Sequence, residues 1–169
     1  DLIEAARLRS LARDMERVVV AIDPAVTSED GSDETGIVVA AKDSQGHGYV
    51  LADSSGRYTT SEWASLAVKL FRTHAADRIV AEVNNGGDMV EATIRMVDPD
   101  VPFTAVRATR GKVVRAEPVA ALYEQGRVHH LGQYPQLEDQ MCAFTSDFNK
   151  TAAGYSPDRV DALVWSFTD

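Results

Sequence analysis

The sequence is short of cysteine and of long apolar runs, and each shortage excludes a class of protein. Its one cysteine, Cys142, excludes an internal disulfide framework and is compatible with a reducing compartment. Because Cys142 lies in an apolar pattern, we expect it to pack in the core. No stretch approaches the roughly 18 apolar residues of a membrane helix, and no basic-then-apolar leader is visible. We therefore expect a cytoplasmic protein with no membrane partner.

Positive charge is also scarce, with 17 Lys and Arg against 26 Asp and Glu and a formal net charge of -9. This sign is unexpected for a protein that binds nucleic acid, because counterion release needs a positive surface. A protein with an acid-rich site for divalent metal can nevertheless bind nucleic acid at a negative net charge, where local basic patches exist. The length of 169 residues and the 44% hydrophobic content predict one domain with a proper core.

The stretch RVVVAIDP, residues 17–24, is typical of a buried strand that ends in a carboxylate. Pro24 offers no N–H to a sheet, so the strand should stop there and leave Asp23 at the sheet edge. Open α/β sheets usually place their chemistry at that edge. Taken alone, however, the stretch is better explained by a strand followed by an ordinary Asp-Pro turn.

The rest of the chain predicts an α/β fold. Apolar runs at 36–41 and 48–53 predict a hairpin, so that three antiparallel-type strands open the fold. A capping box from Thr59 to Glu62 begins a helix. The further elements are strands at 79–83, 103–107 and 127–131 and helices at about 88–96, 113–125, 137–148 and 157–167, an alternation typical of a parallel sheet. Pro118 marks either a helix start near Glu117 or a kink.

Three acids share one type of position, since Asp23 and Glu82 stand at or near strand ends and Asp161 stands on the last helix. Asp158 lies three residues before Asp161 and shares its side of that helix. Like charges held close together repel unless a divalent cation lies between them. Oxygen-only ligands favour Mg²⁺ or Mn²⁺ over zinc, and two such ions would support hydrolysis of a phosphodiester.

Each acid also has a purely structural explanation. Asp158 suits the first turn of a helix because of the helix dipole, and Glu82 could be an exposed strand end. Asp161 is harder to explain in this way, because its neighbours are apolar and burial of a carboxylate without a partner is costly. Spacing alone leaves the metal cluster and the structural roles evenly matched. The four histidines have no spacing that suggests zinc.

Five segments together resemble a known family: IDPAVTSEDGSDETGIVV, RIVAEVNNGGDMV, ATRGKVVRAEPVAALYEQGRVHH, LEDQM and SPDRVDALVW. In this order, from about residue 17 to the end, they resemble the C-terminal nuclease domain of the large terminase subunit of tailed phages and gene transfer agents. The resemblance implies a ribonuclease-H-like mixed sheet, with three antiparallel strands and then parallel strands, flanked by helices. It also implies an endonuclease that cuts concatemeric double-stranded DNA during genome packaging in the bacterial host cell.

Carried over position by position, the resemblance makes Asp23, Glu82 and Asp161 the catalytic acids. They would bind two Mg²⁺ or Mn²⁺ ions, with Asp158 as either a further ligand or a helix-start residue. Residues 1–16, which have an amphipathic helical pattern, would be a linker helix from a missing N-terminal ATPase domain, and 17–169 the nuclease domain. No G-x-x-x-x-G-K-[ST] motif is present. The portal and the small terminase subunit are the further partners that the resemblance implies.

Contact with DNA has one candidate, the compact basic run of Arg107, Arg110, Lys112 and Arg115. These side chains could hold phosphates and offset the acidic surface locally. A solvated helix start explains them about as well.

Two other functions stay open. A phosphotransferase of the actin and sugar-kinase type shares the three-strand start, but Pro24 follows Asp23 where that class has a glycine-rich phosphate hairpin. A non-catalytic docking module of a packaging machine would use the same acids structurally.

Overall fold

A six-stranded mixed sheet forms the centre of the computed structural model, which describes residues 2–9, 14–24, 34–83, 87–107, 112–143 and 158–168. The strands are β1 (Arg17–Asp23), β2 (Gly36–Lys42), β3 (Gly48–Asp53), β4 (Arg78–Glu82), β5 (Phe103–Val106) and β6 (Val128–His130). The helices are α1 (Leu2–Ala6), α2 (Thr60–Thr73), α3 (Gly87–Val97), α4 (Lys112–Glu124), α5 (Pro135–Ala143) and α6 (Asp158–Thr168).

The strand order is β5-β4-β1-β2-β3-β6. Strand β2 pairs antiparallel with both β1 and β3, whereas the β1–β4, β4–β5 and β3–β6 pairs are parallel. All strands except β2 therefore run in one direction and end at the same edge. This arrangement confirms the predicted mixed sheet that opens with three antiparallel strands.

Two hydrophobic cores cover the two faces of the sheet. Alternate residues of one strand face opposite sides, and on β1 Val20 and Ile22 pack in the core beneath α2 and α3. On β2, Val38 and Ala40 pack in the other core, beneath α4, α5 and α6. The α6 side of the sheet is therefore the side that β1 shows at Val19, Ala21 and Asp23.

The direction of α6 across the sheet follows from contacts at its two ends. Near its end, Phe167 lies so close to Gly48 that a Cβ atom there would come within 2.6 Å of the ring, and a glycine is needed at this first position of β3. Near its beginning, Arg159 reaches Asp53, the last residue of β3. Helix α6 therefore starts at the edge where β1, β3 and β4 end, and it runs back toward their beginnings.

Several boundaries match the sequence analysis. The capping box is confirmed, because the Thr59 Oγ1 accepts from the Glu62 N–H at 3.3 Å and the Glu62 carboxylate accepts from the Thr59 N–H at 2.8 Å. Pro118 lies inside α4, which begins at Lys112 and not near Glu117. Residues 144–148 of the helix predicted at 137–148 lie outside the described residues. So does residue 157, the predicted start of the last helix.

Two expectations differ from the structure. Cys142 is exposed, so the prediction that it packs in the core is wrong; on the amphipathic α5 the buried position belongs to Leu137. The helix expected over residues 1–16 is short, since α1 ends at Ala6 and Leu8 pairs instead with Leu131 beside β6. Among the described residues, no helix is long and apolar enough to cross a membrane.

Candidate metal centre

Two of the predicted acids stand side by side at the edge where the parallel strands end. Strands β1 and β4 are in register, with Ile22 opposite Ala81, so that Asp23 and Glu82 are the next residues on each strand. Neighbouring strands lie about 5 Å apart, and side chains at matched positions point to the same face. Both acids are half-buried. We call this place, defined by Asp23 and Glu82, the acid edge.

Both acids face the α6 side of the sheet. Ile22 and Ala81, the residues before them, pack in the core under α2 and α3, so the alternation along a strand turns Asp23 and Glu82 the other way. Helix α6 lies across β2 and β1 and reaches β4 on that side. Its Asp161, which is only 5% exposed, belongs to the first turns at the end nearest the acid edge. The three acids are thus on one side of the sheet.

The described side chains do not form a complete set of metal ligands. Among the residues whose side chains are described, no three Asp, Glu, His or Cys side chains group closely enough to hold one metal ion. Asp158 is the first residue of α6, and its side chain lies outside the described part of the chain. Mg²⁺ is usually held by one or two carboxylates together with waters and substrate phosphates. Two adjacent acids and a buried third therefore fit such an ion as a donor set.

Of the basic run, the described residues bring one side chain to this edge. Arg107 is exposed and follows β5 directly, and Val106 before it pairs with Glu82. Lys112 and Arg115 belong to the first turns of α4, but only their backbone is described. Arg110 lies outside the described residues.

A further acid at the same edge was not predicted as a site residue. Asp53 ends β3, and its Oδ2 accepts a hydrogen bond from Arg159 Nη1 at 2.7 Å. The side chains of Asp53 and Arg159 are only 4% and 5% exposed. The signal available in the sequence was the resemblance of GYVLAD to VVVAID, two apolar runs that both end in Asp. Only the fold shows that an arginine neutralises one of them.

Another group of ionisable residues lies beside β6, at the far side of the sheet. Arg7 donates to both carboxylate oxygens of Glu138, at 2.8 and 2.9 Å, and Glu138 Oε2 lies 2.8 Å from His130 Nδ1. The other ring nitrogen of His130 lies 2.8 Å from the Tyr123 hydroxyl. We call Arg7, Glu138, His130 and Tyr123 the β6 network.

Each pKa shift in the β6 network has a physical cause. The hydrogen bonds from Arg7 lower the pKa of Glu138 to about 2, and the bond to His130 adds to this effect. Burial lowers the pKa of His130 despite the nearby carboxylate, and burial raises the pKa of Tyr123. Because a carboxylate only accepts, His130 Nδ1 carries the proton and Nε2 accepts from Tyr123. No local pattern in the sequence predicts a role for His130, because its partners Tyr123, Glu138 and Arg7 are brought to it by the fold.

A cleft of about 660 Å³ opens at the opposite edge of the sheet, where β1 and β4 begin. Its lining includes Arg17, Lys42 and Arg78 together with Glu16, Asp43 and Asp77. Equal numbers of cations and carboxylates give this cleft no net charge, and it is separated from the acid edge by the length of the strands.

The strand order, the mixed directions and the helix that crosses the sheet define an α/β protein of the ribonuclease-H-like class. The sequence profile of the "Terminase RNaseH-like domain" family matches residues 20–169, and the chain belongs to that family. No curated protein sequence matches the chain significantly.

Solved structures show the same fold. The nuclease domain of the large terminase subunit gp2 of bacterial virus Sf6 matches with a TM-score of 0.69 and 16% identity, over 93% of this chain and 90% of that one. The large terminase nuclease of thermophilic phage G20c matches with a TM-score of 0.66 and 16% identity, over 90% of this chain and 82% of that one. RuvC of Thermus thermophilus matches with a TM-score of 0.54 and 13% identity, over 89% of this chain and 92% of that one. Further structures of the Sf6 domain contain manganese or calcium, and one of the G20c nuclease contains zinc.

Proposed function

We propose that the chain is a metal-dependent DNA endonuclease that cuts concatemeric double-stranded DNA during genome packaging. One observation carries the proposal: in a chain of the terminase RNaseH-like family, Asp23 and Glu82 stand in register on the side of the sheet that α6 covers with Asp161. Acids of one sign on adjacent strands repel, and a divalent cation relieves that repulsion.

Asp23, Glu82 and Asp161 would hold two Mg²⁺ or Mn²⁺ ions, with Asp158 as a possible fourth ligand at the start of α6. When bound, such ions activate a water and stabilise the leaving oxygen of the phosphodiester. The fixed strand ends orient the carboxylates of Asp23 and Glu82, and the burial of Asp161 keeps bulk water from its side of the site. The oxygen-only donor set favours Mg²⁺ or Mn²⁺ over zinc, although the G20c nuclease was solved with zinc and the Sf6 domain with manganese.

DNA would approach the acid edge from the side of β5. Arg107 is exposed there, and we propose that it binds a phosphate together with Arg110, Lys112 and Arg115. These four residues would concentrate positive charge on a domain whose net charge is -9. Because phosphate contacts carry no base information, we expect little sequence preference in cutting.

We further propose the domain arrangement that the family resemblance implies. Residues 1–16 would link the nuclease domain, residues 17–169, to an ATPase motor, and the portal and small terminase subunit would be partners of the whole protein. In the described part of this linker, Arg7 binds Glu138 and Leu8 pairs with Leu131. The linker would therefore attach at the β6 side and leave the acid edge open.

Cutting of supercoiled plasmid in Mn²⁺ tests the proposal. We expect the wild-type chain to cut and Asp23→Ala and Asp161→Asn to be inactive. Asp98→Asn is the matched control, because Asp98 is an acid paired with Arg72 at the opposite end of the sheet and should leave cutting unchanged. Uncut plasmid with the wild-type chain, or equal cutting by Asp23→Ala, would refute the proposal. Hydrolysis of ATP would instead favour a phosphotransferase, and binding of packaging partners without cutting would favour a docking module.

A further inference from the structure

The buried pair of Arg159 and Asp53 lies at the beginning of α6. Arg159 is the second residue of this helix and is only 4% exposed. Its Nη1 donates to Asp53 Oδ2 at 2.7 Å, and its Nε lies 3.4 Å from the Glu34 carboxylate. Burial separates Arg159 from solvent, so that it is not available to bind a DNA phosphate.

The partners of Arg159 are themselves fixed. The other oxygen of Asp53, Oδ1, accepts from the Ser55 hydroxyl at 2.6 Å and from the Ser55 N–H at 3.1 Å. Glu34 comes just before β2, whose first residue, Gly36, pairs with Asp23. One guanidinium therefore joins the start of α6 to the end of β3 and to the chain that enters β2.

This attachment fixes the end of α6 that carries Asp161. The other end of the helix is held by the contact of Phe167 with Gly48 and does not need Arg159. Loss of the Arg159 pair would thus loosen the first turns of α6 and leave the last turn in place. Because a buried ion pair is weak evidence for net stability, we look for the effect of this one in the position of the helix.

The same pair neutralises one of the acids at this edge. Strands β1, β3 and β4 all end there in Asp or Glu. Asp53, on β3, pairs with Arg159, whereas Asp23 and Glu82, the proposed ligands, end the adjacent strands β1 and β4.

We propose that Arg159 is a positioning residue, which holds the first turn of α6 against Asp53 and Glu34 and thereby fixes where Asp161 lies on the side of the sheet that Asp23 and Glu82 face. This inference rests on the proposed nuclease function. Arg159 itself would not contact metal or DNA, and it would affect metal binding only through the position of Asp161.

The test compares Arg159→Gln with the wild-type chain in the plasmid assay across a Mn²⁺ titration. Loss of a residue that orients a ligand costs roughly 10- to 100-fold in metal affinity. We expect the Mn²⁺ concentration for half-maximal cutting to rise by that factor, and excess Mn²⁺ to restore the rate. Arg159→Lys keeps the charge but cannot donate to two carboxylates in the same geometry. Its Mn²⁺ concentration for half-maximal cutting should lie between those of the wild-type chain and Arg159→Gln.

Hydrogen exchange provides a second measurement that does not depend on cutting. In Arg159→Gln we expect faster exchange in the first turns of α6 and unchanged exchange in its last turn. Asp53→Asn is a second variant, since it keeps the shape of the partner and leaves Glu34 as the carboxylate beside the buried guanidinium. It should show a smaller change in the same direction.

Arg7→Gln is the matched control, because it removes another arginine–carboxylate pair far from the acid edge. It should lower the melting temperature and leave the Mn²⁺ requirement unchanged. A wild-type Mn²⁺ requirement in both Arg159→Gln and Asp53→Asn, with normal exchange in α6, would overturn the inference and leave the proposed function intact. A wild-type chain that does not cut at any Mn²⁺ concentration would overturn both.

Discussion

The acid edge and the β6 network use the same residue types in opposite ways. In the β6 network, Glu138 faces Arg7 and His130, and the pairing lowers its pKa to about 2. At the acid edge, the sheet sets Asp23 directly beside Glu82, an acid of the same sign. The first arrangement holds parts of the chain together without any ligand. The second places two of the proposed metal ligands on adjacent strands.

The β6 network shows how a structural carboxylate is held in this fold. Glu138 lies in the first turn of α5 and is the same residue type as Glu82, but its partner Arg7 is 131 positions away in the sequence. Asp53 is a second structural carboxylate, because this strand-end acid forms a buried ion pair with Arg159. Substitutions should therefore affect activity at one place and stability at the other.

The largest expected effect follows from Glu82→Gln, which removes one of the two adjacent acids. Since residues that merely orient metal ligands cost up to roughly 100-fold when lost, we expect plasmid cutting in Mn²⁺ to fall by more than about 100-fold. The free energy of unfolding without metal should not fall greatly, because the substitution also removes a like charge next to Asp23. Urea unfolding in EDTA measures this stability. A large loss of stability would show that Glu82 is a structural acid.

The next effect in size follows from Arg7→Gln in the β6 network. This change leaves Glu138 with a partly buried charge and without its main donor, and it should lower the free energy of unfolding by roughly 1–3 kcal/mol. Cutting of plasmid at about 25 °C should be unchanged. Loss of cutting in a chain that is still folded by circular dichroism would contradict the separation of the two regions.

The smallest effect is the pH dependence of the β6 network. Burial lowers the pKa of His130 below 6.5, so the unfolded chain takes up its proton first as the pH falls. Stability should therefore decrease as the pH falls below about 6.5, the pKa of an unperturbed histidine. In His130→Gln, the free energy of unfolding should depend less on pH in this range. His74 is a half-buried histidine whose pKa is also lowered by burial. His74→Gln should change this pH dependence less than His130→Gln does.

Glu138 contributes in a lower pH range with the opposite charge. Its pKa is lowered from 4.5 to about 2, so its stabilisation is complete above about pH 4.5 and is lost as the pH falls toward 2. Urea unfolding at several pH values separates the two ranges. A stability that does not change down to about pH 4.5 would rule out the role given to His130.

The sequence was sufficient for most of the fold because its local signals agree. The β-branched run before Asp23, the capping box at Thr59 and the alternation of apolar strands with amphipathic helices each predicted the element that the structure contains. The predictions failed where tertiary contacts outweigh local pattern. Cys142 lies in an apolar stretch but is exposed, and the pattern over residues 1–16 ends as a helix at Ala6, where Leu8 pairs beside β6.

By itself, the sequence determined which acids end the buried strands and which acid lies on the last helix, because strand ends and helix starts are written in local residue patterns. The tertiary structure alone decided which of those acids share a place. The register of β1 and β4 puts Asp23 next to Glu82, and the start of α6 brings Arg159 onto Asp53. Charges interact over a few ångströms of space, whatever their separation along the chain.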